Sequence, residues 1–533
     1  MNSFIGFDFG NFYSQPVVIL NLDPKTLRGG TLLSLCDSSS PDPNGIPSAF
    51  FYSSKRNNGQ PVCGYAATTL APRSNVVRYL KRNMRGSVTL DGKTFTYEEM
   101  ITQTIQHCIR EANRQLRAQT QTTCNQIGMS YPASFEARDR ELLKSLAEKA
   151  TLDDGTPVKV VGTITEPAAA ALDFLAEHPG AKPETCVMAY DLGAGTFDLS
   201  VVEAFPNGKR YADGTPYYYD VRWTDGLPEL GGLEFDKVLR DIMIKKLGFT
   251  PRGQKADILM QLAEKTKREL TGQDTVYPSI EVNDDMVDME ITIQEFNKAA
   301  EPLVMQTIEL VKKALNDPHV PRPDLILLTG GSSRMRIVQQ LLEREIPQYR
   351  GKIVSHRPSQ AIACGAARFA TEEKDNEFHV GSDRTTRTAG DRTAGDNGIS
   401  RAIVQRTTRD LGVPFINTSG ERYRYIETYI PKGTPLPCTS KEISGFTLND
   451  NQSQVLMDVY EATTAFPNRR KISEDYRKVM DCTFDYRRRV PQHTPNRSRI
   501  IIDKDNILHL EAWEPDRRLA TLQAWDCTYK PKE

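Results

Sequence analysis

The stretch Val187–Glu203, VMAYDLGAGTFDLSVVE, decides how the rest of the chain reads. An apolar run enters Asp191. Leu192-Gly193-Ala194-Gly195-Thr196 then makes a tight turn, and a second run leaves from Asp198. Small residues let a backbone approach a polyphosphate closely enough for its N–H groups to donate to the oxygens. Aspartates at the mouth of such a turn suit hydrated magnesium, which keeps several waters and takes only one or two carboxylates. Two strands joined by unrelated glycines look the same in isolation, so a second turn of this kind is needed to separate the readings.

The N-terminus supplies one. In MNSFIGFDFGNFYSQPVVIL, apolar runs over 4–7 and 15–20 flank a turn with Asp8 at its mouth. Asp8-Phe9-Gly10 coincides with the magnesium-binding triplet of protein kinases. The 7 residues ahead of Asp8 cannot hold the glycine-rich loop, strand lysine and catalytic loop that a kinase places there. Two acidic glycine turns about one subdomain apart can instead grip a phosphate chain from both sides. A third piece, LILLTGGSSRMRIVQQLL (325–342), runs a buried strand into Gly330-Gly331-Ser332-Ser333 and leaves as an amphipathic helix. It lacks the Gly-Lys-Ser/Thr of a Walker loop, and no Rossmann fingerprint is present.

The totals bound the setting. At 533 residues the chain exceeds one core, so two to four domains are expected. With 68 basic and 69 acidic residues there is no bulk field for nucleic acid. The start is too polar for a secretory signal, and no apolar run reaches membrane-spanning length. The 9 cysteines and 7 histidines are scattered without a Cys-x-x-Cys pair. Structural zinc and a disulfide framework are therefore not expected, and a cytoplasmic location fits best.

Strand patterns (126–130, 186–190, 198–203, 324–329) and helix patterns (98–118, 136–150, 234–247, 256–271, 294–316, 334–344) mingle up to about residue 370. This predicts layered α/β with sheets covered on both faces. The polar stretch 371–400 repeats Arg-Thr-Ala-Gly-Asp at 387–391 and 392–396 and reads as a tether. Beyond it come short alternating runs: 423–430, 443–448, 454–460, 479–486, 498–503, 506–512 and 519–525. They predict a small antiparallel β module.

The three turns, in this order, resemble the phosphate 1, phosphate 2 and adenosine motifs of the actin, sugar-kinase and heat-shock ATPase superfamily. The resemblance is closest to the 70-kilodalton heat-shock (DnaK-type) chaperones. It is carried by SYPASFEARDRELLKSLAEKA (130–150), ITEPAAAALDF (164–174), LPELGGLEFDKVL (227–239), LAEKTKRELT (262–271) and PSQAIACGAARFA (358–370). It implies an actin-like ATPase body of two lobes at 1–372, a tether and interdomain linker at 373–405, and an antiparallel β-sandwich substrate-binding-like domain at 406–533. The leucine-rich linker of the family is represented only by Ala402-Ile403-Val404.

The resemblance also implies roles. Asp8, Asp191 and Asp198 would surround magnesium, its waters and nearby monovalent ions such as K+. Glu166 would order a metal-bound or attacking water. Lys81, in the helix read over NVVRYLKRNM (75–84), would approach the γ-phosphate. Gly10, Asn11, Phe12 and Tyr13 form the first phosphate loop, and Gly193, Ala194, Gly195 and Thr196 the second, with Gly231 and Gly232 nearby. Glu264, Lys267, Arg268 and Thr271 would hold adenosine and ribose; Gly330, Gly331, Ser332 and Arg334 would close the purine side. The chemistry would be in-line attack of water on ATP, giving ADP, with the protein supplying position and electrostatics. Pro132 and Arg140 match the proline switch that relays nucleotide state.

GVPFINTSGERYRYIETYIPKGTPLP (412–437), FTLNDNQSQVLMDVYEA (446–462) and RIIIDKDNILHLEAWE (499–514) resemble the family's substrate domain, with 503–506 as a hairpin turn. That domain grips an extended apolar peptide by strand-like hydrogen bonds and a pocket. Val455 matches the pocket valine. Leu448 and Ile416 fall near the arch over the peptide, the latter in a longer loop. All three are equally readable as core. The chain stops at Glu533 without the family's helical lid, which predicts fast peptide exchange. The basic clusters at 468–471 and 487–489 read as solvated loops. Implied partners are unfolded or extended polypeptide, a J-domain cochaperone and a nucleotide-exchange factor, with no nucleic acid and no membrane, acting on a monomer.

Three departures stand out. Asn11 and Phe12 replace threonines, Ala194 replaces a glycine, and Ser359 replaces an aspartate. If residue 194 needs a positive φ, alanine there costs about 1 kcal/mol. The leading expectation is an ATP-regulated, lidless chaperone-like ATPase. The alternatives are a nucleotide-gated scaffold that hydrolyses weakly or not at all, and a small-molecule kinase of the same superfamily.

Overall fold

A computed structural model describes residues 4–515 apart from 25, 37–44, 71–74, 136, 179–183, 211–215, 283–284, 382–402, 417–423, 463–475 and 503–507. The chain divides into two compact units, Met1–Ser134 with Leu143–Ile403, and Phe135–Leu142 with Val404–Glu533.

In the first unit, two sheets repeat one plan. The strand carrying Asp8, Ile5–Phe9, is buried along its whole length, as its apolar composition requires. It pairs in parallel with Gln126–Tyr131 and, across the first tight turn, antiparallel with Tyr13–Leu20. Lys159–Thr165 and Thr31–Ser34 extend this sheet. The strand carrying Asp191, Thr185–Leu192, likewise pairs in parallel with Leu325–Thr329 and antiparallel with Phe197–Arg210. Ile353–Ser355 and Pro216–Leu227 follow on either side. Each aspartate thus sits at the same place in its own sheet, one strand end away from a glycine turn. This is the mixed α/β, two-lobed body that the motifs implied.

The helices between the sheets are built from small residues. Ala361–Gly381 packs on the first sheet and Glu166–Glu177 on the second, and the two helices pack on each other. A Cβ on Gly365 would lie 1.9 Å from the Ala169 carbonyl oxygen, and one on Gly6 the same distance from that of Ala363. PSQAIACGAARFA and EPAAAALDF are therefore packing sequences as well as family signatures. Beneath the crossing, the buried Arg368 donates to Asp173 (3.0 Å), Glu177 (2.5 Å) and the Leu27 carbonyl (2.6 Å). Outer helices begin on side-chain caps: Thr96 and Glu99 form a reciprocal capping box for Tyr97–Thr120, and Thr292 caps Ile293–Asn316.

Several sequence expectations change. NVVRYLKRNM is not a helix. Val76–Val77 is a β-branched pair matched to Phe50–Phe51, Tyr79 is left-handed (φ 56°), and only Leu80–Asn83 forms a 3-10 turn. The run at 198–203 extends to Arg210 and forms a long hairpin with Pro216–Leu227. Helix Ala361–Gly381 continues past residue 373, so the segment assigned to the tether begins as helix. The repeats at 387–396 lie outside the described residues. Ile403, from the linker stretch, is buried in the core of the second lobe beside Val187 and Tyr219.

The second unit is antiparallel β. One sheet runs Arg424–Ile430, Asp410–Ile416, Val459–Ala462, Tyr476–Met480; another joins Cys438–Thr439, Pro495–Ile502 and Ile443–Phe446, with Leu508–Trp513 on Pro495–Ile502. Gln452–Leu456 and Thr483–Val490 form a ribbon. Residues from all three, including Leu411, Val459, Phe484, Ile500 and Leu510, share one apolar core. The run read as one strand at 454–460 is two, broken at Met457-Asp458, and so is 479–486. The turn at 503–506, the cluster at 468–471 and the run at 519–525 lie outside the described residues.

Candidate active site

Between the lobes of the first unit lies a cleft of ≈ 400 Å3. It is lined by both acidic turns, the third turn, and Lys81, Glu166, Glu264, Lys267, Arg268 and Thr271. Residues far apart in sequence and named from separate motifs therefore meet in one cavity. Asp198 and Gly231 are not among its lining residues, but each adjoins one: Asp198 is paired with Asp191 across the strands, and Gly231 packs on Gly195.

The turns are pinned by hydrogen bonds that explain their small residues. Gly193 N–H donates to Thr196 O (3.0 Å), closing the second turn. The helix Gly232–Leu247 spends its first N–H groups on that turn: Gly232 donates to Gly193 O and Leu233 to Ala194 O, both at 2.9 Å. This helix end fixes the loop rather than offering an open anion site. A Cβ on Gly231 would lie 2.4 Å from the Gly195 backbone. Gly330, at φ +78°, lets the third turn approach the second: a Cβ there would lie 2.4 Å from Leu192 O and 2.5 Å from Asp191 Oδ1. Ala194 is not among the positive-φ residues, so the alanine in the second turn carries no left-handed strain. Asn11 is buried, and its amide fits against Gly195, where a Cβ would come within 2.4 Å of Nδ2.

The floor is a nest of acids. Asp8, Glu166, Asp191 and Asp198 are all buried, and Lys81 is the lysine among them. Lys81 forms an ion pair with Glu166. Ser130 donates to Asp8 (3.1 Å), and the Ser134 N–H to Asp198 (3.0 Å). Burial pushes every one of these carboxyls up. Asp198 rises to about 6 against the pull of its Thr196 and Ser134 hydrogen bonds. Glu166 rises to about 8 by burial, opposed by Lys81 and reinforced by Asp8 and Asp198. Asp191 is raised strongly by burial and then by Glu166, Asp198 and Asp8. On Lys81 burial works against the charge, but Glu166 and Asp8 more than offset it and its pKa is raised.

This arrangement fits a cation. Asp191 Oδ1 and Asp198 Oδ2 are buried without a hydrogen-bond partner among the described residues. Four desolvated carboxyls face one lysine, and such crowding is relieved by positive charge. The acids do not, however, form a direct three-ligand set: no group of three His, Cys, Asp or Glu among the described residues is spaced to hold a metal. A magnesium ion here would be held by Asp8, Asp191 and Asp198 largely through its waters, of which it usually keeps several.

On the adenosine side, Lys267 pairs with Asp236 (2.6 Å) and donates to Gly232 O (2.9 Å), while Arg268 pairs with Glu264 (2.7 Å). Thr271 and Arg334 are at the exposed rim. Asp236, Tyr79, Gln15, Pro358 and Ile362 also line the cleft and were not singled out from sequence. The signal for Asp236 was available: it is a buried acid on the apolar face that carries Phe235 and Leu239.

Residues 50–377, more than half of the chain, match the Hsp70 protein family. The chain belongs to the Hsp70 family. Hsp70 proteins are ATPases with an actin-like two-lobed body, bind nucleotide with magnesium, and serve as chaperones of unfolded polypeptide alongside cochaperones. The match begins after the first turn, so Asn11 and Phe12 lie ahead of it. No helix among the described residues of this Hsp70 protein is long and apolar enough to cross a membrane.

The other named positions are more dispersed. Pro132 follows the strand Gln126–Tyr131, and Arg140 donates to Phe135 O (3.2 Å). In the second unit Val455 is half-buried against the core, opposite Phe484 in the ribbon. Leu448 is held at a turn by Gln452 (3.0 Å) and Gln492 (2.8 Å). Ile416 ends its strand beside the undescribed 417–423. A cavity of ≈ 210 Å3 there is lined by Met457, Cys482, Phe484 and Leu510, among others, and not by these three residues.

Proposed function

We propose that this Hsp70 protein binds Mg-ATP in the cleft, hydrolyses it slowly, and uses the nucleotide state to regulate the hold of its C-terminal β unit on extended polypeptide. The observation that carries the proposal is the buried set Asp8, Glu166, Asp191 and Asp198 with Lys81, placed between two glycine turns. In this reading the turns take the phosphates, Lys81 neutralises developing charge, Asp8, Asp191 and Asp198 would hold the magnesium that would supply further positive charge, and Glu166 orients the attacking water. Arg268 and Arg334 flank the base, and Lys267 and Glu264 serve the ribose. Lys81 and Glu166, paired in this structure, separate when phosphate takes up the lysine. The domain limits, the β-sandwich assignment of residues 406–533, the peptide contacts at Val455, Leu448 and Ile416, the switch at Pro132 and Arg140, and a cytoplasmic setting belong to the same proposal.

A second reading, nucleotide-gated binding without turnover, is favoured by Phe12, which removes a hydroxyl beside the phosphates. Single-turnover hydrolysis of ATP, with and without unfolded polypeptide and a J-domain protein, separates the two. Turnover that disappears in Lys81→Ala supports hydrolysis. Tight ATP binding with no ADP formed supports the gate. Turnover indifferent to every peptide and J-protein removes the coupling.

A further inference from the structure

Phe12 lines the cleft, and two cations lie over its ring. The Arg78 guanidinium lies 4.5 Å from its ring centroid and the Arg268 guanidinium 5.1 Å. Tyr13 meets the ring edge-on at 5.0 Å and Tyr79 at 6.4 Å. Both arginines are within the roughly 6 Å over which a ring face attracts a cation. They come from different lobes: Arg78 follows the strand Val76–Val77, and Arg268 sits on the helix Gln254–Glu269. Arg268 is half-exposed, so the contact is at the solvent side of the cleft.

Two further observations give the contact direction. Arg78 Nη1 is buried without a hydrogen-bond partner among the described residues, and the Phe12 ring is a π acceptor 4.5 Å from the same guanidinium. Four residues on, Arg82 reaches across the same gap to Glu234 (3.0 Å) and the Glu229 carbonyl (3.0 Å). The first lobe therefore meets the second at two places: the Phe12 ring, backed by Arg78, on Arg268, and Arg82 on Glu234 and the Glu229 carbonyl.

We infer that Phe12 is a positioning residue: its ring holds Arg78 of one lobe and Arg268 of the other together over the cleft, and so slows the release of a bound nucleoside diphosphate. This rests on the cleft being the nucleotide site. A hydroxyl side chain at this position could serve a phosphate but could not hold two guanidiniums. The residue change in the first turn thus exchanges a phosphate contact for a contact between lobes.

The test is stopped-flow release of N-methylanthraniloyl-ADP from the full-length protein, chased with excess ADP. Phe12→Leu keeps the bulk and removes the aromatic face; release is expected to speed up about 5- to 30-fold, two cation–π contacts being lost. Phe12→Trp restores the slow rate, which a merely space-filling role would not require. Arg78→Gln, a residue outside the cleft lining, is expected to speed release as well, and to add little in the Phe12→Leu background. Unchanged release in Phe12→Leu and Arg78→Gln overturns the inference while leaving nucleotide binding intact, as do effects of the two that simply multiply. Failure of the folded wild-type protein to bind the probe overturns the reading of the cleft itself, and this inference with it.

Discussion

At the scale of single residues, the acid nest sets function against stability. Burial raises the Asp191 carboxyl well above its ordinary value, and neighbouring acids add to the rise. A carboxylic acid raised on folding favours the protonated form, so at neutral pH, above its unfolded value, the ionised group disfavours the empty fold. Asp191→Asn is expected to stabilise the nucleotide-free protein by about 0.5–2 kcal/mol, read from thermal unfolding without magnesium. The same change should lower single-turnover hydrolysis by about 100-fold or more, as losing a group that acts on transition-state charge does. It should also remove most of the stabilisation that Mg-ADP gives the wild type. A variant that melts lower when empty would contradict this account of the nest.

At the scale of elements, the helix crossing is the least tolerant part of the body. Gly365→Ala places a methyl 1.9 Å from a backbone oxygen, with no flexible side chain to yield. A loss of about 3 kcal/mol is expected in urea unfolding. Asp173 ties the same helices together through Arg368, Arg357 and His356. Burial opposes its charge, but His356, Arg368 and Arg357 together hold its pKa below the ordinary value. Its stabilising contribution is therefore complete above about pH 4 and is lost as pH falls through the lowered folded value. Asp173→Asn should cost about 1.5–3 kcal/mol at pH 7, because buried Arg368 keeps Glu177 and the Leu27 carbonyl but loses one charged partner, and should shrink the difference from wild type as the medium becomes acid. These ties also mark where the sequence was legible. The two acidic turns were, because strand, turn and strand are neighbours in the chain. The 195-residue reach from Asp173 to Arg368 was not, because no local periodicity carries it. NVVRYLKRNM was misread for a related reason: its helical spacing is overridden by Val76-Val77 pairing with a distant strand. The breaks at Met457-Asp458 and 481–482 were hidden because alternation runs through them.

At the scale of the whole molecule, the proposed reading puts the nucleotide and polypeptide sites in separate units, so coupling between them would be measurable as a change in one affinity caused by the other ligand. Anisotropy of a labelled extended apolar peptide is expected to show binding weakened about 10-fold by ATP relative to ADP. Val455→Phe should weaken peptide binding by a similar factor with little loss of stability, since Val455 is only half-buried. Equal affinity in both nucleotide states would uncouple the units, and an unchanged Val455→Phe would place the peptide elsewhere. The β runs gave the second unit's class from their period of two. They could not give its peptide contacts, because an apolar residue on a strand reads alike whether it faces a core or a ligand.

The alanine and glycine seam between Glu166–Glu177 and Ala361–Gly381 also has a mechanical meaning. With backbones this close, the two helices would act as a fulcrum, since rolling on each other keeps the seam in contact and sliding apart loses it. A rotation that barely shifts the floor is magnified along the height of each lobe and is largest at the rim. Displacement of the lobes is therefore smallest where the acids must keep their spacing and greatest where Phe12, Arg78 and Arg268 meet.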